Sequence, residues 1–560
     1  MQEQINNLPE ILTDIIIPPE KFVFIPIGGA TEIGMNFFAY GYKGKWLLVD
    51  CGVGFAGEDL PGIDLLLPNP VFFRDKKKDI VGLIITHAHA DHIDGLPYLW
   101  RDLQCPVYAS PFASEFLEIK LDEAGLLGRV EVNPVAQNGT LDLDPFEIEF
   151  ISMNHSLPEP QGLAIRTKEG LVIHTGDWKF DAQPLLGEKM DLSVLEQYGK
   201  EGVLALVSDS TDVSTEKSDK TEVDVRHALE KLIGEYPAKQ IAITCFASNV
   251  ARMESIYHAA VKNGRQVCLM GRSLWRIDAA GRATGYFKDI PEFLSEDEAA
   301  ELPKEKVLYV CTGSQGEPFS GLSTLASGTG KIKFEEGDVV VFSSRVIPGN
   351  EKKIAFLQKR LKAKKYKIIT DRDALVHVSG HYGAQDLEKM YRLLKPKISL
   401  PVHGAARELT AHAELALKWG TAFAFTLEEG EIITLDDTPQ ILGEVPTGIL
   451  AVDGKKIVQL NSGTIKKRRK MVDDGSLFVT LVLDADGNIY GQPKLSAIGL
   501  LDEGSEDTAK IIEQIKISVG ALEQSHRDDM VEGAVRTAIR RFLNEHYGKK
   551  PIIDVHLIRI

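Results

Sequence analysis

Short apolar runs that end in polar or glycine-rich turns alternate along the chain with longer amphipathic segments. Runs such as KFVFIPIGG, KWLLVDCG, VGLIITHAH and FEIEFISM have the length and composition of β-strands. Several of them are apolar enough to be buried on both faces, which is typical of a sheet covered on both sides. This pattern predicts a layered α/β domain in the first part of the chain.

The pattern changes further along the chain. From about Thr221, amphipathic segments such as VRHALEKLIGEY alternate with apolar runs such as QIAITCF, which predicts a second α/β domain. The first pattern returns near Asp371 with ALVHVSGH and SLPVHG. After a turn-rich span, SLFVTLVLDADGNIYG predicts a hairpin, and two later segments carry apolar residues at helical spacing. A small third domain therefore follows.

Composition narrows the class of protein. The 560 residues have a formal net charge of −17, so a polyanionic substrate would need a local basic or metal-lined channel. The five cysteines are scattered and show no CxxC spacing, which argues against a disulfide framework and against a thiolate zinc site. No apolar run approaches the length of a membrane helix. We therefore expect a globular cytoplasmic protein with no membrane partner.

The stretch ITHAHADHIDGL places three histidines and two aspartates within eight residues, directly after an apolar run. A histidine-rich polar turn would explain this stretch by itself. However, His155, Asp177 and His403 also follow apolar runs. Side chains at the carboxyl ends of several strands converge on one crevice in an open α/β sheet, and imidazole with carboxylate ligands suits zinc or manganese. The sequence therefore predicts a metal site.

Together these residues resemble the motifs of the metallo-β-lactamase superfamily. The resemblance implies two divalent metal ions per chain, zinc or manganese, with magnesium as a further candidate. Asp50 in LLVDCG matches the first motif of the superfamily, a carboxylate that orients the ligand loop. The ligands that the resemblance implies are His87, His89 and His155 for one ion, Asp91, His92 and His403 for the other, and Asp177 as the bridge.

A long insertion separates LVSDST, which contains Asp209, from HVSGH. This arrangement resembles the β-CASP subfamily of nucleic-acid nucleases, whose motifs A, B and C match Asp209, HVSGH and His403. Members that act on DNA typically lack the motif C histidine, so its presence points to RNA. The stretches GGATEIGMN, TCFASNVARM, CTGSQGEP and VIPGNE narrow the resemblance to the ribonuclease J family over nearly the whole chain.

The resemblance implies the α/β fold class: a metallo-β-lactamase αββα sandwich, an inserted α/β β-CASP domain and a small α+β C-terminal domain. The expected boundaries are 1–221 and 373–447 for the sandwich, 222–372 for the β-CASP domain, 448–465 for a linker and 466–560 for the C-terminal domain.

Residues for catalysis and substrate binding follow from the same motifs. His381, supported by Asp209, is the expected proton donor to the departing 3′ oxygen, because imidazole titrates near neutrality. For Ser248 and Asn249, a helix cap before VARMESIYH is at least as good an explanation as substrate contact. The residues expected to hydrogen-bond the RNA phosphate are Ser248, Asn249, His377, Ser379 and Gly380.

The expected function is that of a two-metal ribonuclease with 5′–3′ exonuclease activity, a preference for 5′-monophosphate ends and endonuclease capacity. Its substrate would be RNA in rRNA and mRNA maturation and decay, and a homodimer or homotetramer and other RNA-decay proteins are the expected partners. Two alternatives stay open: a metal-dependent hydrolase of another class, such as a lactonase or thioesterase, and a non-catalytic RNA-binding protein. Ala88, Ala90, Arg345 and Ala405 depart from the usual family residues without removing a ligand.

Overall fold

The computed structural model describes residues 17–216, 219–347, 349–502, 504–522 and 527–560. None of the helices in these ranges is long and apolar enough to cross a membrane.

The described residues form two compact units. The first contains the described residues up to Phe55 together with Leu66–Ile449. The second contains Ala56–Leu65 together with Leu450–Ile560. All of the side chains predicted for the metal site and for catalysis belong to the first unit.

Up to the insertion, the chain is built mainly from strands, and each apolar run quoted above for this part forms one. The strands are β1 (Val23–Gly28), β2 (Phe37–Tyr42), β3 (Lys45–Val49), β4 (Gly54–Phe55), β5 (Leu65–Pro68), β6 (Ile80–Ile85), β7 (Val107–Ala109), β8 (Val132–Pro134), β9 (Thr140–Leu143), β10 (Phe146–Ser152), β11 (Gln161–Thr167), β12 (Gly170–His174) and β13 (Val203–Asp209). The helices are α1 (Ala90–Ile93), α2 (Leu96–Leu103), α3 (Pro111–Glu123) and α4 (Leu192–Glu201).

The insertion alternates helices with short strands, three of which (β14, β16 and β17) are fully buried, as its pattern predicts. Its elements are α5 (Glu222–Gly234), β14 (Ile241–Thr244), α6 (Val250–Lys262), β15 (Gln266–Met270), α7 (Arg272–Ala283), α8 (Glu296–Ala300), β16 (Val307–Cys311), α9 (Gly321–Ser327), β17 (Val339–Phe342), α10 (Glu351–Ala363) and β18 (Lys367–Ile369). All pairings in its sheet are parallel, in the order β15-β16-β14-β17-β18.

The chain leaves the insertion through an irregular segment. The run ALVHVSGH has the composition of a strand, but it forms none. The carbonyl oxygen of Val376 accepts hydrogen bonds from Arg252 Nη1 (2.9 Å) and Ser343 Oγ (2.6 Å), so side chains take the place of a neighbouring strand. The elements that follow in this unit are α11 (Ala384–Leu394), β19 (Ile398–Val402), α12 (Ala406–Lys418), β20 (Phe423–Ala424), β21 (Glu431–Thr434) and β22 (Ile441–Glu444).

Two mixed sheets outside the insertion face each other across one apolar core. Their strand orders are β22-β21-β1-β2-β3-β6-β7-β8 and β20-β19-β13-β12-β11-β10-β9. Phe24 and Tyr40 from the first sheet meet Phe150 and Ile165 from the second, and all four side chains are fully buried. Burial of each such side chain contributes about 1.5–3 kcal/mol, so the packed faces of the two sheets stabilise the sandwich. The predicted fold class is confirmed.

The second unit is a small α+β domain. Residues 448–465, predicted as a linker, contain the antiparallel pair β23 (Ile449–Asp453) and β24 (Lys456–Gln459), joined by a turn at Gly454 with a φ of 60°. The three-stranded sheet has the order β26-β25-β27, and the domain boundaries given above stay predictions. The remaining elements are α13 (Gly463–Asp474), β25 (Ser476–Leu483), β26 (Lys494–Ile498), α14 (Glu506–Gly520), α15 (Asp528–Tyr547) and β27 (Ile552–Arg559).

Arg252 is a fully buried cation that ties the insertion to the segment before HVSGH. Its Nε and Nη2 donate to the two carboxylate oxygens of Glu222 at 2.7 and 2.8 Å, and its Nη1 donates to the carbonyl oxygens of Ser343 (2.8 Å) and Val376 (2.9 Å). The guanidinium therefore joins four separate stretches of the chain. Removing one partner of such a pair leaves an unpaired buried charge.

We expect Arg252→Met to destabilise the first unit by about 3–5 kcal/mol, because the Glu222 carboxylate would lose its counter-charge. Denaturant unfolding of the full chain measures this change. The double variant Arg252→Met, Glu222→Gln should recover most of the loss, since it removes the stranded charge. An unchanged unfolding midpoint for the single variant would contradict this account of the buried pair.

Candidate metal centre and catalytic site

The candidate metal ligands lie just beyond the carboxyl ends of strands. His87 follows β6, His155 follows β10, Asp177 follows β12 and His403 follows β19. These strands belong to the two facing sheets, so their ends open on one edge of the sandwich. The crevice there is the one that the sequence pattern predicts.

The HAHADH stretch turns tightly into α1, whose four residues include Asp91 and His92. The loop packs against the DCG stretch that follows β3. A Cβ atom on Gly52 would lie 1.6 Å from the carbonyl oxygen of Asp91. Only glycine permits this approach, which explains why glycine stands two residues after Asp50.

Three imidazoles converge at one end of the crevice. His89 Nδ1 lies 3.1 Å from His87 Nε2 and 3.1 Å from His155 Nε2. Oδ2 of Asp177 is 3.7 Å from each of the same two Nε2 atoms. The ligand atoms of these four side chains all lie within 4.8 Å of one another.

A second group lies on the other side of Asp177. Its Oδ1 is 3.4 Å from His92 Nε2 and 3.6 Å from His403 Nε2. Oδ2 of Asp91 is 3.7 Å from His92 Nε2 and 3.6 Å from His403 Nε2. The two oxygens of Asp177 thus face different groups of histidines.

The donor set fits divalent cations. Asp177 Oδ1 is buried and has no hydrogen-bond partner among the described residues, which is costly unless a cation takes that place. Burial lowers the pKa of His87 and His155 well below the usual range, and lowers that of His89 to about 4. These three imidazoles are therefore neutral at pH 7, which is the form that binds a metal. Burial also opposes the charge on His92 and His403, but the Asp177 carboxylate outweighs it and raises the pKa of both, so a bound cation would displace a proton from each.

Asp50 holds the ligand loop in place through contacts with Thr86 and His92. Its Oδ2 is 2.8 Å from His92 Nδ1, and its Oδ1 accepts a hydrogen bond from the backbone nitrogen of Thr86 at 2.7 Å. A proton on Nδ1 directed at Asp50 leaves the lone pair of Nε2 facing the second ligand group. Asn36 Nδ2 lies 2.9 Å from Nδ1 of His403.

Asp209, the last residue of β13, lies directly beside His381. Asp209 Oδ2 is 2.9 Å from His381 Nδ1. Thr211 donates through Oγ1 to Asp209 Oδ1 at 2.8 Å. Burial opposes protonation of the imidazole, but the Asp209 carboxylate raises the pKa of His381 to about 9. His381 is therefore cationic at pH 7 and can release a proton.

The other predicted substrate residues lie close to this pair. Ser379 Oγ donates to Asp212 Oδ2 at 2.8 Å and accepts from the backbone nitrogen of His381 at 3.1 Å. The carbonyl oxygen of Gly380 is 2.6 Å from Nδ1 of His155. His377 is partly buried, and its Nδ1 has no hydrogen-bond partner among the described residues.

Ser248 and Asn249 mark the start of α6. The Asn249 side chain accepts from the backbone nitrogen of Arg252 at 2.8 Å, so it caps the helix, as the alternative explanation expects. Asn249 also lines a cleft together with His155 and Ser379. Ser248 is not among the residues that line this cleft.

Sequence reasoning missed three residues that support the site: Thr86, Asn36 and Asp212. Thr86 binds Asp50, Asn36 contacts His403, and Asp212 accepts from Ser379. Asn36 lies within GGATEIGMN, and Asp212 directly follows LVSDST, so both residues lie in or next to motifs already noted. His174 is buried with Nδ1 2.9 Å from Tyr40 Oη, away from both ligand groups, as its position inside an apolar run indicates.

Comparison with known families gives four matches along the chain. They are a β-lactamase superfamily domain (residues 45–202), the ribonuclease J β-CASP domain (238–361), a Zn-dependent metallo-hydrolase RNA specificity domain (349–423) and the ribonuclease J C-terminal domain (463–560).

Individual relatives extend the match to nearly the full length. Ribonuclease J from Sinorhizobium meliloti is 41% identical over 97% of this chain and 98% of its own. The chain belongs to the ribonuclease J family. Ribonuclease J 1 from Streptococcus pyogenes serotype M3 is 34% identical over 97% of this chain and 98% of its own. A solved structure of a protein of unknown function from Enterococcus faecalis V583 shares the fold, with a TM-score of 0.53, 17% identity, and 74% of this chain and 100% of that chain covered.

As a ribonuclease J family member, the chain is a metal-dependent ribonuclease that binds RNA and uses divalent metal. The lactonase or thioesterase and the non-catalytic alternatives are not favoured. The roles of individual residues in this family member stay a proposal, because they rest on position and contacts.

Proposed function

We propose that this ribonuclease uses two metal ions, degrades RNA from the 5′ end, prefers a 5′-monophosphate and cuts internal sites slowly. The proposal of two metal ions rests on the orientation of the Asp177 carboxylate, whose two oxygens face different groups of histidines. Its Oδ2 faces His87 and His155, whereas its Oδ1 faces His92 and His403. A carboxylate that faces two ligand groups suits a bridge between ions about 3.5–4 Å apart.

Zinc or manganese is our proposed occupant, since five imidazoles outnumber the carboxylates and magnesium prefers oxygen ligands. Bound ions of this kind supply Lewis acidity that activates water and stabilises the charge developing on the phosphate. The residues of the chain hold that geometry. Asp50 and Thr86 fix the orientation of His92, and Asn36 does the same for His403.

His381 is the proposed proton donor to the departing 3′ oxygen. It carries a proton at pH 7, and Asp209 holds its Nδ1. Its ring centroid is 4.9 Å from that of His155, which puts the donor beside the first ligand group. Proton transfer from an imidazole so placed is a common part of phosphodiester hydrolysis.

The preference for a 5′ end rests on the cleft beside His155. Ser379 and Asn249 line it, and His377 stands in the same HVSGH stretch. Hydrogen-bond donors arranged for one phosphate satisfy a monophosphate, whereas a triphosphate adds charge and bulk without further partners. An RNA end bound there would present the next phosphodiester to the ligand groups.

Three RNAs of equal sequence test this proposal. We expect rapid directional decay of the 5′-monophosphate form, slower decay of the 5′-triphosphate form and weak internal cutting of the circular form. Gel analysis of body-labelled substrate measures all three. Equal rates for circular and 5′-monophosphate RNA would make the enzyme an endonuclease instead.

We also propose a cytoplasmic location, self-association as a dimer or tetramer, and contact with other RNA-decay proteins. The five cysteines are buried and unpaired, which suits a reducing compartment. Exposed apolar residues on the C-terminal sheet (Ile498 and Ile558) and directly after its last strand (Ile560) support self-association. Sedimentation of the purified chain measures its oligomeric state.

A further inference from the structure

Arg345 lies in the loop after β17, at the carboxyl end of the inserted sheet. Gln315, which is 6% exposed, fixes this loop at two points. Its Nε2 donates to the carbonyl oxygen of Arg345 at 2.8 Å, and its Oε1 accepts from the backbone nitrogen of Ile347 at 2.9 Å. The backbone that carries Arg345 is therefore held in place by a buried side chain.

The guanidinium of Arg345 shares a carboxylate with Ser379. Arg345 Nη1 lies 2.5 Å from Asp212 Oδ1, while Ser379 Oγ donates to Asp212 Oδ2 at 2.8 Å. Asp212 is almost fully buried, so it is a fixed bridge between the inserted domain and the HVSGH stretch. Asp212 thus joins Arg345 to a hydroxyl that we assign to the RNA phosphate.

Arg345 retains donors for a second partner. Its side chain is 44% exposed, and Nη1 is its only guanidinium nitrogen with a hydrogen bond to the residues that the structure describes. Arginine has five N–H donors in a planar fork that matches phosphate oxygens. The unpartnered Nδ1 of His377, two residues before Ser379, adds a further polar group at this junction.

We propose that Arg345 binds the 5′-terminal phosphate of RNA together with Ser379, with its guanidinium shared between that phosphate and Asp212. This inference rests on the 5′-end recognition proposed above and adds to it a residue that determines specificity. The phosphate would contact free N–H donors of the fork, while Nη1 keeps its bond to Asp212.

The negative charge of Asp212 gives Arg345 a second effect on phosphate binding. A buried carboxylate beside a phosphate dianion repels it unless a cation stands between them. Arg345 is the cation in contact with Asp212 in the described structure. Loss of Arg345 would therefore remove an attraction and expose a repulsion at the same time.

The test compares Arg345→Gln with wild type on short RNAs that differ only in a 5′-monophosphate or a 5′-hydroxyl. We expect KM for the monophosphate RNA to rise about 10- to 100-fold, the scale of one charge-assisted hydrogen bond. The turnover number kcat should change little, and the 5′-hydroxyl RNA should be consumed as by wild type. Arg345→Lys keeps the charge but not the fork, so its KM should lie between the two.

Lys359→Gln is the matched control, because it removes one exposed positive charge from α10 in the same domain. Its kinetics should equal those of wild type. Metal content should be unchanged in all three variants. Arg345→Gln should lower the unfolding midpoint somewhat, because the buried Asp212 carboxylate loses its counter-charge, and an unchanged rate on the 5′-hydroxyl RNA separates binding from this structural role.

Three outcomes would overturn the inference. If Arg345→Gln lowers kcat equally on both RNAs, the residue positions Ser379 and His381 and does not bind the end. If wild type prefers the monophosphate RNA and Arg345→Gln keeps the whole preference, end recognition stands and Arg345 has no part in it. If wild type shows no preference, the proposed end recognition fails and this inference fails with it.

Discussion

Asp177→Asn is expected to abolish RNA cleavage and to reduce the bound metal well below the ~two ions per chain expected for a carboxylate-bridged site. Asparagine keeps the shape of the side chain but replaces one oxygen by an NH₂ group. Because Oδ1 and Oδ2 face different groups of histidines, one group must lose the carboxylate oxygen that Asp177 supplies. The remaining amide oxygen is neutral and binds a cation less well than a carboxylate does.

Metal analysis of the purified chain and cleavage of end-labelled RNA measure the two effects. His174→Asn is the matched control, since it also places an asparagine in a buried position but bonds Tyr40 and not the ligand groups. We expect this control to keep its metal and most of its turnover. Two ions and wild-type activity in Asp177→Asn would show that the bridge assignment is wrong.

The sequence predicts which side chains meet at the crevice, because their positions depend on local pattern, and their roles as metal ligands stay predictions. The apolar runs of β6, β10, β12 and β19 end where the strand ends, and a polar residue shortly after each of them reaches the shared crevice. For His87, His155 and Asp177, the position just after a strand is enough to predict that the side chain lies at the crevice. The sequence also predicts the parallel sheet of the insertion, because its strands are short apolar runs between amphipathic helices.

The sequence does not predict the contacts that support the site, because they join residues far apart in the chain. Asn36 and His403 are 367 positions apart, and Ser379 and Asp212 are 167 apart. No periodicity encodes such pairs, and each residue type is common in ordinary turns. The sequence names the stretches in which these side chains lie but not their partners.

Secondary structure departs from the pattern where side chains replace backbone partners. ALVHVSGH has strand composition, yet Arg252 and Ser343 take the hydrogen bonds of Val376 that a neighbouring strand would otherwise take. The β-strand propensity depends only on the residues of the segment itself. The irregular conformation of ALVHVSGH depends also on Arg252, a buried arginine from α6. The irregular backbone is also what lets Ser379 and His381 face the crevice between the domains.

His381 lies close to two carboxylates as well as to the first ligand group. Its Nδ1 is 2.9 Å from Asp209 Oδ2 and 3.9 Å from Asp177 Oδ2, so these three side chains could form a ligand group of their own. A proton donor and a metal ligand respond differently to removal. Loss of the donor spares the metal, whereas loss of a ligand does not.

His381→Ala is expected to lower turnover by about 10² to 10⁴, the usual scale of general acid catalysis, while metal content stays at the wild-type level. An RNA whose scissile 3′ oxygen is replaced by sulfur gives the sharper test. A thiol has a pKa of about 8.5, far below that of an alcohol, so the thiolate leaves without a donated proton. The deficit of His381→Ala should therefore shrink by at least about tenfold on this substrate, the change that separates a donor from a residue with another role. His403→Ala, which removes a proposed ligand, should lose metal and gain nothing from the sulfur substrate. Metal loss in His381→Ala equal to that in His403→Ala, or the same deficit on both substrates, would mean that His381 does not donate the proton.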